Sequence, residues 1–321
     1  MYLKFYGLDE KPFSETPDPR YLYLSPPHRE ALAQLQYCAE ERKGFVALTG
    51  EIGTGKTTLL NTLYRRLDAK TAVAFIVNSR LPFDGLLECI LDSLGIAKRE
   101  DSLARRLIAL QTFLTERERA GQNTVLIIDE AQSLSTVTLE QIRQLSNFET
   151  TRRKLLQILL VGQPELEAKL NLPQLRQLRQ RIGLHCRIRP LTMPEASQYI
   201  RNRLRVAGAR DLGVFTEPAV ARMTTYSRGV PRVLNILGDH CLLFGYAEQR
   251  RRIERQNVDQ TIEYLQGSMR RGWAIPGLGA LRRLPWLVGP GAVALAGAAI
   301  GHGLHTVTLD LVDSVGRLVV R

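Results

Sequence analysis

Gly50-Glu51-Ile52-Gly53-Thr54-Gly55-Lys56-Thr57 follows the apolar run FVALT (45–49) and opens a helical segment over 57–67. The octet has the form GxxxxGK[ST], and a strand before it with a helix after it is the context that this form requires of a P-loop. Glycines let the backbone curl until several N–H groups face one phosphate chain. The amino terminus of the following helix adds its partial positive charge. Gly50 through Thr58 are therefore the expected phosphate cradle. Lys56 reaches the β- and γ-phosphates in this reading, and Thr57 ligates Mg²⁺.

Working outward, the run TVLIID (124–129) is a strand that ends in Asp129 and is followed by Glu130. A carboxylate there lies at the carboxyl edge of the sheet, where open α/β sheets bind ligands. Asp129 is expected to hold Mg²⁺ through water, and Glu130 to polarise the attacking water. Another apolar run, LLQILLV (155–161), leads into Gly162-Gln163-Pro164, so Gln163 falls between the first two motifs and could orient water near the γ-phosphate. Asn78, after the strand AVAFIV (72–77), could hydrogen-bond Glu130. In Gly229-Val230-Pro231-Arg232 a helix begins from which Arg232 could reach back to the phosphates. Arg179 and Arg181, in LRQLRQRI (175–182), precede a fifth, weaker strand, LHCRIR (184–189), where one subunit could present an arginine to its neighbour's nucleotide. A planar, permanently charged guanidinium suits charge developing on a transferred phosphoryl group. These residues together predict Mg²⁺-dependent ATP hydrolysis.

Short apolar runs separated by amphipathic helices indicate buried parallel strands, hence an α/β fold with a three-layer parallel sheet. Residues 1–25 are rich in Pro and Tyr and read as an irregular strap, and 26–43 as a helix with Pro26 and Pro27 in its first turn. The ATPase core is expected over 44–190. Four helices (194–207, 217–227, 231–249, 256–266) then predict a small helical lid over 191–268, with Thr216 capping one of them. Residues 269–284 form a basic linker. The uncharged run PWLVGPGAVALAGAAIGHGL (285–304) is about the ~20 residues that a bilayer-spanning helix needs. The arginines before it (Arg270, Arg271, Arg282, Arg283) place its amino-terminal side in the cytosol. Residues 305–321 are then a short periplasmic tail.

The chain has 321 residues and a formal charge of +12, from 44 Lys and Arg against 32 acids. That balance favours anionic partners without choosing between nucleotide, nucleic acid and membrane surface. Cys38, Cys89, Cys186 and Cys241 are widely spaced with no CxxC, which argues against a zinc site and for buried reduced thiols. The opening residues, interrupted by Lys4, Asp9, Glu10 and Lys11, do not form a cleavable signal peptide.

GEIGTGKTT, VLIIDEAQ, LLQILLVGQPEL, LRQLRQRI and GVPRVLN, with the opening FYGLDEKPFSETPDPRYLYLSPPHREAL, closely resemble the general secretion pathway protein A family of AAA+ ATPases over about residues 1–268. The resemblance implies an oligomeric inner-membrane ATPase, cytosolic in its motor, that assembles or places an envelope-spanning secretion or pilus machine with an inner-membrane or periplasmic partner. It matches Gln163 to sensor 1, Arg232 to sensor 2 and Arg181 to a candidate arginine finger, and it has the strap wrap the adenine. Fuller members carry a peptidoglycan-binding region, which 305–321 is too short to supply, so that contact would fall to a partner. The alternative is a DNA-binding ATPase of the transposition-helper type, in which Arg250-Arg251-Arg252 and the arginines of 201–205 track phosphates. The less specific reading of those arginines is a solvated helix face.

Overall fold

The computed structural model describes residues 2–14, 18–77, 81–96, 102–151 and 153–271. Helix α1 (Tyr2–Tyr6) and α2 (Pro26–Glu40) precede β1 (Phe45–Gly50), α3 (Lys56–Arg66) and β2 (Ala72–Ile76). Helices α4 (Phe83–Ser93) and α5 (Leu103–Arg119) lead to β3 (Thr124–Ile128), α6 (Thr136–Leu145) and β4 (Gln157–Gly162). Two short helices, α7 (Pro164–Leu170) and α8 (Arg176–Arg181), precede β5 (Ile182–Ile188). Helices α9 (Met193–Val206), α10 (Glu217–Ser227), α11 (Pro231–Ala247) and α12 (Arg255–Arg271) complete the described chain.

The five strands form one sheet in the order β2-β3-β4-β1-β5, with every pairing parallel. The three inner strands are buried along their whole length, whereas the edge strands β2 and β5 are only partly so. Successive side chains of a strand point to opposite faces, and the inner strands feed two separate cores. Phe45, Ala47, Leu126, Ile128, Ile158 and Leu160 pack with α4 to α8. Val46, Leu48, Val125, Ile127, Leu159 and Val161 pack with α2 and α3. Burial on both faces explains why these strands are continuous apolar runs without polar alternation.

A third core joins α9 to α12 with the amino-terminal segment: Tyr2, Tyr6, Leu8 and Phe13 are buried among Ile200, Leu204, Met223, Leu237 and Ile262. The described residues up to Leu265 form one compact unit. Thr216 caps α10 by accepting from the Ala219 N–H, and Pro26 and Pro27 occupy the first turn of α2. Within the expected irregular strap the structure has the short helix α1, because Tyr2 and Tyr6 share a face that packs on α11. The expected helices over 26–43 and 136–149 stop earlier, at Glu40 and Leu145. The apolar run 285–304, the linker from 272 and the tail lie outside the described residues. Among those described, no helix is long and apolar enough to cross a membrane.

Candidate active site

Parallel pairing brings the sequence motifs to one edge of the sheet. Thr49 of β1 is in register with Gly162 of β4, and Ile128 of β3 with Leu160 of the same strand. Gly50, Asp129 and Gln163 therefore leave adjacent strands at their carboxyl ends.

The cradle needs its glycines for two reasons. Gly53 and Gly55 have φ of 78° and 98°, in the left-handed region that a side chain disfavours. A Cβ on Gly53 would also stand 2.7 Å from Cβ of Arg232. That closeness exists because the Arg232 N–H, at the start of α11, donates to the Gly53 carbonyl at 3.3 Å. The Lys56 ammonium is buried and donates to the carbonyls of Gly50 at 2.8 Å and Glu51 at 3.0 Å. Burial lowers its pKa, while Glu130 and Asp129 act in the opposite sense. A buried ammonium whose hydrogen bonds go to carbonyl oxygens suits an anionic ligand.

Asp129 is buried, and its two oxygens have separate tasks. Oδ1 accepts from the Glu130 N–H at 2.9 Å, and Oδ2 accepts from Thr57 Oγ1 at 3.1 Å. One hydroxyl and one carboxylate at contact distance are a donor set for a hard cation that takes its remaining oxygens from water and phosphate, as Mg²⁺ does. Glu130 sits at φ 53°, left-handed. Its Oε2 accepts from Gln163 Nε2 at 3.0 Å and from Gln132 Nε2.

Lys56, Thr57 and Glu130 border a cleft of about 430 Å³. One wall is the cradle from Ile52 to Thr58 with Glu130. The other is made by Ser14, Asp18 and Tyr21 to Tyr23 of the strap, with His28, Tyr199, Arg203, Arg232 and Asn235. Arg203 of α9 is buried and ties the strap down. It donates to Tyr199 Oη at 3.0 Å, to the Ser14 carbonyl at 3.3 Å and to the Pro12 carbonyl. Its guanidinium carbon lies 4.7 Å from the Tyr21 ring centroid and 5.6 Å from that of Tyr199, within cation–π range. Tyr199 in turn donates to Asn235 Oδ1 at 2.7 Å. His28 of α2 bonds the Thr54 carbonyl through Nε2 at 2.9 Å and Ser25 Oγ through Nδ1 at 2.6 Å. A carbonyl can only accept, so Nε2 carries a proton.

Thr57, Asp129, Glu130 and Gln163 are thus linked by hydrogen bonds, and Lys56, Thr57, Glu130 and Arg232 line one cleft. Asn78 lies outside the described residues. Arg179 and Arg181 are not among the described residues that line the cleft. Arg181 donates to Ser146 Oγ at 2.5 Å and Asn147 Oδ1 at 2.7 Å, and Arg179 donates to Asn171 Oδ1 at 3.0 Å. Sequence reading missed His28, Tyr199, Arg203, Asn235 and Gln132. His28, Gln132 and Asn235 lay inside quoted motifs without being assigned a role, and Tyr199 lay outside them.

Residues 39–170 match the AAA domain family. General secretion pathway protein A of Aeromonas hydrophila is 38% identical over 301 residues, covering 94% of this chain and 52% of that protein. The chain is a relative of general secretion pathway protein A and carries an AAA domain. It spans about half the length of that relative. Among solved structures, the Aeropyrum pernix ORC2 protein, in ADPNP–ADP complexes, superposes with a TM-score of 0.58 at 18% identity, over 79% of this chain and 71% of that one. Cdc6p of Pyrobaculum aerophilum gives 0.59 at 19% identity, over 80% and 71%. At such identities the likeness is one of fold.

Proposed function

We propose that this chain is a Mg²⁺-dependent ATPase whose hydrolysis serves the assembly or placement of a secretion machine. The observation that carries the ATPase part is that Lys56, Thr57 and Glu130 line one cleft, with Thr57 bonded to Asp129 at 3.1 Å and Gln163 bonded to Glu130 at 3.0 Å. Mg²⁺ held by Thr57 and Asp129 would neutralise charge on the phosphates. Lys56 exchanges its carbonyl partners for phosphate oxygens. Glu130 accepts a proton from the attacking water as that water forms its bond to the γ-phosphorus and the bond from that phosphorus to the bridging β-phosphate oxygen breaks, releasing ADP and inorganic phosphate, and Gln163 helps to fix the water's place. Arg232, docked on the cradle through its own backbone, senses whether the phosphates are there. The helices α9 to α12 act as a lid that responds to them.

The secretion part is supported by the relative's name and by identity along nearly all of this chain. Membrane anchoring through 285–304, an inner-membrane or periplasmic partner and a homo-oligomer completed by Arg181 or Arg179 in trans belong to the same proposal.

The decisive measurement is ATP hydrolysis and ATP affinity of the purified chain beside two variants. Glu130→Gln is expected to bind ATP normally and to lose about 99% of turnover, since general-base assistance contributes on the order of a hundredfold or more. Lys56→Ala is expected to weaken binding itself. Equal hydrolysis by wild type and Glu130→Gln would reject the assignment. Crosslinking in membranes followed by purification should recover a secretion-system component. Recovery of DNA alone, from a protein that leaves membranes in high salt, would replace the secretion reading.

A further inference from the structure

Glu130 and Gln163 are joined directly, Gln163 Nε2 donating to Glu130 Oε2 at 3.0 Å, and a further side chain bridges the two. Gln132 lies between them in the short turn Ala131–Ser133 that follows Glu130. Its Nε2 donates to Glu130 Oε2, and its Oε1 accepts from the backbone N–H of Gln163 at 3.1 Å. That pattern fixes the orientation of the amide. A backbone N–H can only donate, so the oxygen must face Gln163 and the NH₂ must face the carboxylate. The flipped amide would set donor against donor and acceptor against acceptor.

Two further observations concern the same side chain. A Cβ on Gly162 would stand 2.7 Å from Gln132 Oε1, so the glycine before Gln163 leaves the space that this amide fills. Lys169 of α7 donates to the Gln132 carbonyl at 2.5 Å and to the Leu134 carbonyl at 2.7 Å, which pins the turn from the other side. Glu130 also holds a left-handed backbone, which persists for a non-glycine residue only where its surroundings impose it. Gln132 is absent from the described residues lining the cleft, although Glu130 is among them.

We propose that Gln132 is a positioning residue for hydrolysis: it locks the Glu130 carboxylate and the Gln163 backbone into one unit, so that the base lining the cleft and the amide bonded to it keep a fixed relation. The proposal rests on the ATPase reading. It places Gln132 in the chemical step and outside nucleotide binding. A residue that merely held the turn would affect stability, and would do so whether or not Glu130 was present.

The test uses the full chain, with steady-state and single-turnover ATP hydrolysis, ATP affinity and thermal melting for Gln132→Ala, Gln132→Glu and Gly162→Ala, and for Gln132→Ala in the Glu130→Gln background. Gln132→Ala is expected to lower kcat on the order of tenfold, what one orienting hydrogen bond to a charged group is worth, with ATP affinity unchanged. Gln132→Glu is expected to fall further, because a second carboxylate then faces Glu130. Gly162→Ala, which displaces the amide without removing it, should show the same loss in kcat with affinity kept. In the Glu130→Gln background, Gln132→Ala should add nothing. A Gln132→Ala chain with wild-type kcat, or one whose loss is equal in both backgrounds, would overturn the proposal alone. A wild-type chain without hydrolysis, or a Glu130→Gln chain at wild-type rate, would overturn the ATPase reading first.

Discussion

At the scale of single residues, Gly229 and His28 show how closely the cleft is drawn together. Gly229 has φ 74°, and a Cβ there would meet the Leu191 carbonyl oxygen at 2.0 Å. Its own carbonyl accepts from the Leu191 N–H at 2.8 Å, so this contact sets where α11 starts. Gly229→Ala is expected to destabilise the fold by about 2 kcal/mol or more, since strain and backbone overlap add, and denaturant melts would show it as a lowered midpoint. His28 is held mainly by burial below its ordinary pKa, opposed by the Thr54 carbonyl and Glu195 and assisted by Arg189. The fold therefore favours the neutral ring. Its contribution is complete above the unfolded imidazole value of about 6.5 and is lost as pH falls through the lower folded value. Melting temperature should drop on acidification below that point, and His28→Gln should flatten the drop.

At the scale of elements, the strap and α9 carry the contacts that build the far wall of the cleft. Arg203→Met keeps much of the side-chain volume but loses three donated hydrogen bonds and both ring contacts. It is expected to raise KM for ATP while leaving kcat nearly unchanged, in contrast with Gln132→Ala, and a kinetic comparison of the two separates binding from chemistry. This is also where sequence reading ran out. The inner strands were legible because burial on both faces leaves an uninterrupted apolar run, and GEIGTGKT and DE were legible because their local context completes them. Tyr199 and Arg203 carry no local signal, for Arg203 meets Pro12 and Ser14 only after the chain has folded back across the α/β core. The helices α7 and α8 are too short for a 3.6-residue period to declare itself.

At the scale of the whole molecule, the proposed homo-oligomer would have an arginine of α8 complete a neighbour's site. If an arginine acts in trans, hydrolysis per subunit should rise with protein concentration. A mixture of Lys56→Ala chains with chains bearing Arg179→Ala and Arg181→Ala should then hydrolyse ATP faster than either alone, since each supplies what the other lacks. Rates for the mixture that only average the two would place no arginine of α8 in a neighbour's site.

The third core has a consequence for how the protein is made. Tyr2, Tyr6, Leu8 and Phe13 leave the ribosome more than two hundred residues before their partners Leu237, Val258 and Ile262. At ordinary elongation rates this aromatic segment waits on the order of ten seconds or longer without its own hydrophobic cover. Nascent chains halted after β5 should therefore recruit holding chaperones through their first residues, and should release them once α12 has emerged.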